Sequence, residues 1–100
     1  MSNDNPDQAF WNRVNAIINV ANGQCDSADP NHVTASTMYA AARFNAFIVA
    51  SSTGSGDNMK LEKERALDHF TDQFRLMMAE NLDDFIANFD RYMEQIPQQS

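Results

Sequence analysis

Apolar residues are most continuous between Met38 and Ala50, where only Arg43 and Asn45 interrupt thirteen otherwise apolar or Tyr positions. The run shows no alternation of period two. Five of its residues are Ala, the best helix former. The pattern predicts a helix that is apolar on several sides, enclosed by at least two other helices. Ala42, Ala46 and Ala50 form one i, i+4 row along it, and small residues on a row let a second helix approach closely.

The segments on either side of this run also read as helices. Asn5 suits an N-cap and Pro6 the first helical position, because proline lacks the N–H that would be orphaned there. Gln8, three residues after Asn5, completes the pattern of a capping box. Asp7 adds negative charge to the first turn, where the helix dipole favours it. Phe10, Trp11, Val14, Ile17, Ile18, Ala21 and Cys25 then recur at spacings of three and four, which predicts a one-faced amphipathic helix ending between Asn22 and Cys25. Asp26 to Asn31 is turn chemistry. A second helix is expected over about Ala35–Ser51, capped by Thr34 or Ser36, with His32 and Val33 just outside it. Ser51 to Asp57 reads as a soft linker, with Gly54 as a left-handed terminator.

From Asn58 to Ile96 there is neither Gly nor Pro. Leu67, Phe70, Phe74 and Met77/Met78 form one apolar stripe; Leu82, Phe85, Ile86, Phe89, Tyr92, Met93 and Ile96 form another. One unbroken helix would run ~57 Å at 1.5 Å per residue, against a radius of gyration of ~13 Å for a compact chain of this length. Asn81 with Asp84 resembles an N-cap pair, so a break is expected at Glu80–Leu82. Pro97 ends the last helix.

Composition narrows the function classes. One hundred residues make one domain, ordered over about residues 6–96. Fourteen acids against seven bases give a net charge of -7. Nucleic acid and anionic membrane are poor partners for such a chain, because binding phosphate needs clustered Lys and Arg. A lone Cys cannot form an internal disulfide and fits a reducing compartment. The N-terminus has no basic start or apolar stretch of a signal peptide. The 38–50 run is shorter than the ~20 residues a membrane span needs. A cytoplasmic protein is expected.

Candidate chemistry is sparse. Arg43, in an apolar helix, must keep its head in water or find a carboxylate such as Asp90. The functional alternative is an anion or substrate site with Asn45 and Tyr39. His69 lies between Asp68 and Asp72, but a diiron bundle needs two Glu-x-x-His motifs, and neither His follows a Glu by three. Cys25 has no base near it in sequence and reads as a packed thiol. Gly54-Ser-Gly56 lacks the Lys-Ser/Thr of a phosphate loop. The mixed charges from Glu62 to Arg75 read as a solvated helix face. No catalytic, metal or cofactor residues are expected. Met77 and Met78, with Leu76, Met59 and Leu61, are hard to bury inside one small bundle, and Met-rich apolar surface adapts well to partners.

Two stretches, Tyr39-Ala-Ala-Ala-Arg-Phe-Asn-Ala-Phe47 and Asn81-Leu-Asp-Asp-Phe-Ile-Ala-Asn-Phe-Asp-Arg-Tyr92, resemble a family of small bacterial, mainly proteobacterial, helical proteins classed as a domain of unknown function. Phe10-Trp11 fits as well, so the resemblance spans about residues 9–94. It implies a bacterial, cytoplasmic, all-helical protein and brings no activity, cofactor or active site.

The expectation is therefore an all-α fold: a compact bundle of three to four helices with the second helix central. The expected function is a non-enzymatic interaction or regulatory module, with a homodimer as one candidate assembly, using the helical surface after Gly56. The rival is a small-molecule or anion binder, or an enzyme, with a polar site around Arg43, Asn45 and Tyr39.

Overall fold

A computed structural model describes residues 5–94 of the chain as four α-helices. They are α1 (Pro6–Gln24), α2 (Pro30–Thr53), α3 (Gly56–Ala87) and α4 (Phe89–Glu94). No strand occurs among the described residues, and the fold is all-α. Packing divides the chain into two units, Met1–Ser51 and Ser52–Ser100.

In the first unit, α1 starts as its residues dictate. The Gln8 N–H donates to Asn5 Oδ1 at 2.7 Å, and Pro6 occupies the first turn. The reciprocal half of the capping box is not made: Gln8 Nε2 donates forward to Asn12 Oδ1 at 3.0 Å. The helix runs through Gly23 and ends at Gln24, inside the expected range.

The second helix begins five residues earlier than the sequence pattern placed it. The Asn31 N–H donates to Asp29 Oδ1 at 2.7 Å, and Pro30 takes the first helical position. Asp29-Pro30 thus repeats the device of Asn5-Pro6. Thr34 and Ser36 lie inside the helix, where Thr37 Oγ1 donates back to the Val33 carbonyl at 2.7 Å. Val33, expected outside the helix, is buried at 8% exposure, the one buried side chain among the described residues.

Within the first unit, α1 does not supply the enclosure expected around residues 38–50. Met38, Tyr39, Phe44, Phe47 and Ile48 remain 47–69% exposed. Helical periodicity reports which sides of a helix are apolar. It carries no information on what covers them.

In the second unit, the soft linker contracts to Gly54 and Ser55. Gly54 has φ 80°, the left-handed value expected of a terminator. The Ser55 side chain caps α3 by accepting from the Asn58 N–H at 3.1 Å. The α3 helix then continues for 32 residues, through the expected break. Asn81 does not act as a cap: its Nδ2 donates to the Met77 carbonyl at 2.8 Å, a bond made inside a continuous helix. The break falls at Asn88, where the backbone leaves helical geometry at φ -122°, ψ 30°. The expected end at Ile96–Pro97 lies outside the described residues.

Candidate interaction surface

A concave feature lies in the first unit. α1 and α2 diverge from the turn at residues 25–29, and the space between them is an open cleft of about 680 Å³. Ile17, Val20 and Ala21 line it from α1; Val33, Ala40, Ala41 and Phe44 line it from α2. Gln24, Ser36, Thr37 and Asn45 supply its polar atoms, and His32 is its one titratable group. No Asp, Glu, Lys or Arg lines it.

The apolar wall groups are wet. Ile17 is 63%, Val20 66% and Phe44 64% exposed. At roughly 150–250 Å² per aromatic side chain, the open fractions of Phe10, Trp11, Tyr39, Phe44 and Phe47 amount to about 450–750 Å² of this unit's surface. Phe10 and Trp11 pack edge to face at 4.9 Å, but both keep about half their surface open.

The sequence candidates distribute unevenly. Asn45 lines the cleft, whereas Tyr39 and Arg43 do not. At ~100° per residue, Arg43 and Asn45 point about 160° apart around α2. Tyr39 and Arg43 share a side, one turn apart, and both are exposed. Arg43 makes no ion pair among the described residues, where Arg65 Nε to Glu62 Oε1 at 3.8 Å is the pair formed. Met77 and Met78 lie on α3, 51% and 45% exposed. Cys25, expected as a packed thiol, is free and exposed. His69 packs edge to face on Phe70 at 5.1 Å. No cluster of His, Cys, Asp or Glu among the described residues could hold a metal ion. No helix among them is long and apolar enough to cross a membrane.

The sequence pattern did not reveal a polar corner in the second unit. The Tyr92 hydroxyl donates to Asp84 Oδ2 at 2.7 Å, and Asn88 Nδ2 donates to Asp84 Oδ1 at 2.9 Å. The Phe85 and Tyr92 rings stack with centroids 4.3 Å apart, and Arg91 lies over the Tyr92 ring at 5.2 Å. The bond to the Asp84 carboxylate holds the Tyr92 hydroxyl above its ordinary pKa, and Arg91 opposes this. The spacing Asp84-Asn88-Tyr92, i, i+4, i+8, was the available signal.

Comparison with known proteins places this architecture. The family model for "Protein of unknown function (DUF3144)" matches residues 10–86. The chain belongs to the DUF3144 family. The match takes in all of α2 and nearly all of α1 and α3. A solved structure similar to this DUF3144 chain is the NMR structure of the protein NB7890A from Shewanella sp.. The two share 32% sequence identity with a TM-score of 0.71, over 96% of this chain and 100% of that one. A search of curated proteins found no match. Membership in DUF3144 fixes the helical fold and assigns no activity.

Proposed function

We propose that the chain is a non-enzymatic helical interaction module that works in the cytoplasm as a homodimer. One observation carries the reading: long helices leave large aromatic and aliphatic side chains open to water around a cleft without charged walls. Covering such surface is favourable by about 25 cal/mol per Å², and a standard interface covers about 800 Å² on each partner. The half-exposed Met77 and Met78 extend the adaptable surface to α3, the region the sequence pointed to. The net charge of -7 argues against nucleic acid and anionic membrane as partners.

A polar binding or catalytic site at Tyr39, Arg43 and Asn45 draws less support. A site needs its polar groups to converge in one pocket, and Asn45 points about 160° away from Arg43 around α2, off the side that Tyr39 and Arg43 share.

Sedimentation equilibrium across a wide concentration range tests the reading. A dimer that dissociates on dilution is expected. A monomer at every concentration, up to the millimolar range, overturns it.

A further inference from the structure

We infer that α3 and α4 are one helix folded at Asn88 by a latch on Tyr92, and that releasing the latch lets α3 run on unbroken through residue 94. All the groups involved lie in the second unit.

The residues around the break do not demand one. Between Asn81 and Glu94 there is neither Gly nor Pro. Asn88 sits at φ -122°, ψ 30°, outside the left-handed region that favours glycine. The helix bond into Asn88 is made, its N–H donating to the Asp84 carbonyl at 3.0 Å. Apolar residues also step across the break at helical spacing. Phe74, Met78, Leu82, Phe85, Phe89 and Met93 follow one another at three or four residues. On one straight helix they fall within about 100° of arc.

A second asparagine in the same helix separates the cause of the break from what accompanies it. Asn81 Nδ2 donates to the Met77 carbonyl at 2.8 Å, and α3 passes straight through. Asn88 Nδ2 makes the same kind of bond to the Asp84 carbonyl at 3.1 Å, and there the helix stops. A side-chain bond to the preceding turn is therefore not enough to break this helix. The two sites differ four residues on, where Asn81 is followed by Phe85 and Asn88 by Tyr92. The Tyr92 hydroxyl donates back to Asp84 Oδ2 at 2.7 Å, and its ring stacks on Phe85 at 4.3 Å.

Both Tyr92 contacts belong to the folded form alone. A straight helix holds residues seven and eight apart at ~10.5 and ~12 Å along its axis. Its side chains all lean towards the N-terminus, so neither the stack nor the hydroxyl bond can close. The straight form gains something else: the first N–H groups of α4, orphaned at a helix start, find the carbonyls of residues 85–87. None of Asp84, Asn88 and Tyr92 is buried. Hydrogen bonds exchanged with water net little, so a small change at Tyr92 decides between the forms. In the folded form Tyr92 covers one face of Phe85. Straightening uncovers that face and lengthens the apolar stripe of α3 by Phe89 and Met93.

Spin labels at residues 72 and 94 of the full-length chain, in a Cys25→Ser background, test this by electron–electron distance measurement. Labelled chain is diluted in unlabelled chain, so that only pairs within one chain are read. A straight helix sets the two backbone positions ~33 Å apart, and wild type is expected to fall short of that. Tyr92→Leu, which removes hydroxyl and ring, is expected to lengthen the distance to about 33 Å. Asp84→Ala, which removes the acceptor, is expected to shift it the same way, and Asn88→Ala to shift it less than Tyr92→Leu. A wild-type distance already at the straight value overturns the inference. So does a Tyr92→Leu chain that keeps the wild-type distance, or an Asn88→Ala chain that straightens more fully than Tyr92→Leu. Should Tyr92→Leu not fold, the Asp84→Ala distance decides. None of these outcomes depends on whether the chain is a dimer.

Discussion

The two corners of the chain are built from different materials. At residues 25–29 the turn is closed locally: the Asp26 N–H donates to the Gly23 carbonyl, the Ser27 N–H to the Gln24 carbonyl, and Asp29 caps α2. Beyond the turn, α1 and α2 face each other with apolar and small side chains. At Asn88 the reverse holds. Asp84 accepts from both Asn88 and Tyr92, and the Phe85 and Tyr92 rings stack across the break. Hydrogen bonds are directional, so the second corner fixes its own geometry. Apolar burial is non-directional, so the first corner takes its final geometry from whatever fills it.

The sharpest way to break this contrast is Phe44→Ala. The side chain is 64% exposed in the single chain, where truncation costs well under ~1 kcal/mol. Covered by a partner, the same truncation costs about 3–5 kcal/mol. We expect the larger loss, and one that grows as protein concentration falls, read by urea unfolding at two concentrations. Next in size is Gly54→Ala. Nothing lies within 4 Å of the added methyl, so the cost is backbone strain at φ 80°, about 1–2 kcal/mol, independent of concentration. Asp29→Ala removes the α2 cap and should cost about 1 kcal/mol in thermal unfolding.

The smallest effect is expected from Tyr92→Phe, and its mark is pH dependence. The raised pKa of Tyr92 means that the folded state favours the neutral phenol. That contribution is complete below about pH 10, the ordinary tyrosine value, and is lost as pH rises through the folded value. Wild type should therefore lose stability above pH 10 faster than Tyr92→Phe. Parallel alkaline profiles would show that the Asp84 bond does not hold the second corner.

Much of the helical architecture was legible in the residues. Asn5-Pro6 marked the start of α1, and Gly54 marked the end of α2 with its left-handed φ. Asp29-Pro30 carries the same signature for the start of α2, but Thr34 and Ser36 are equally good caps by type. Asn81 misled for a related reason. An Asn inside a helix can donate back to the preceding turn, as it does to Met77, and only the structure separates that from capping. The break belonged to Asn88, whose partners lie four residues to either side. The candidate surface was half legible. Periodicity found the apolar faces of α1 and α2 and the methionines of α3. What covers those faces is not written in periodicity, which reports only which sides of a helix are apolar.

The scarcity of charge on α2 has a consequence for how the protein responds to its surroundings. With one ionised group in 24 residues and none on the cleft wall, contacts made there should hardly notice added salt, since screening acts only on charges. Cold is the stronger influence, because the transfer of apolar surface out of water loses driving force as temperature falls. A chilled, dilute sample should come apart at α2 before the hydrogen-bonded corner at Asn88 loosens.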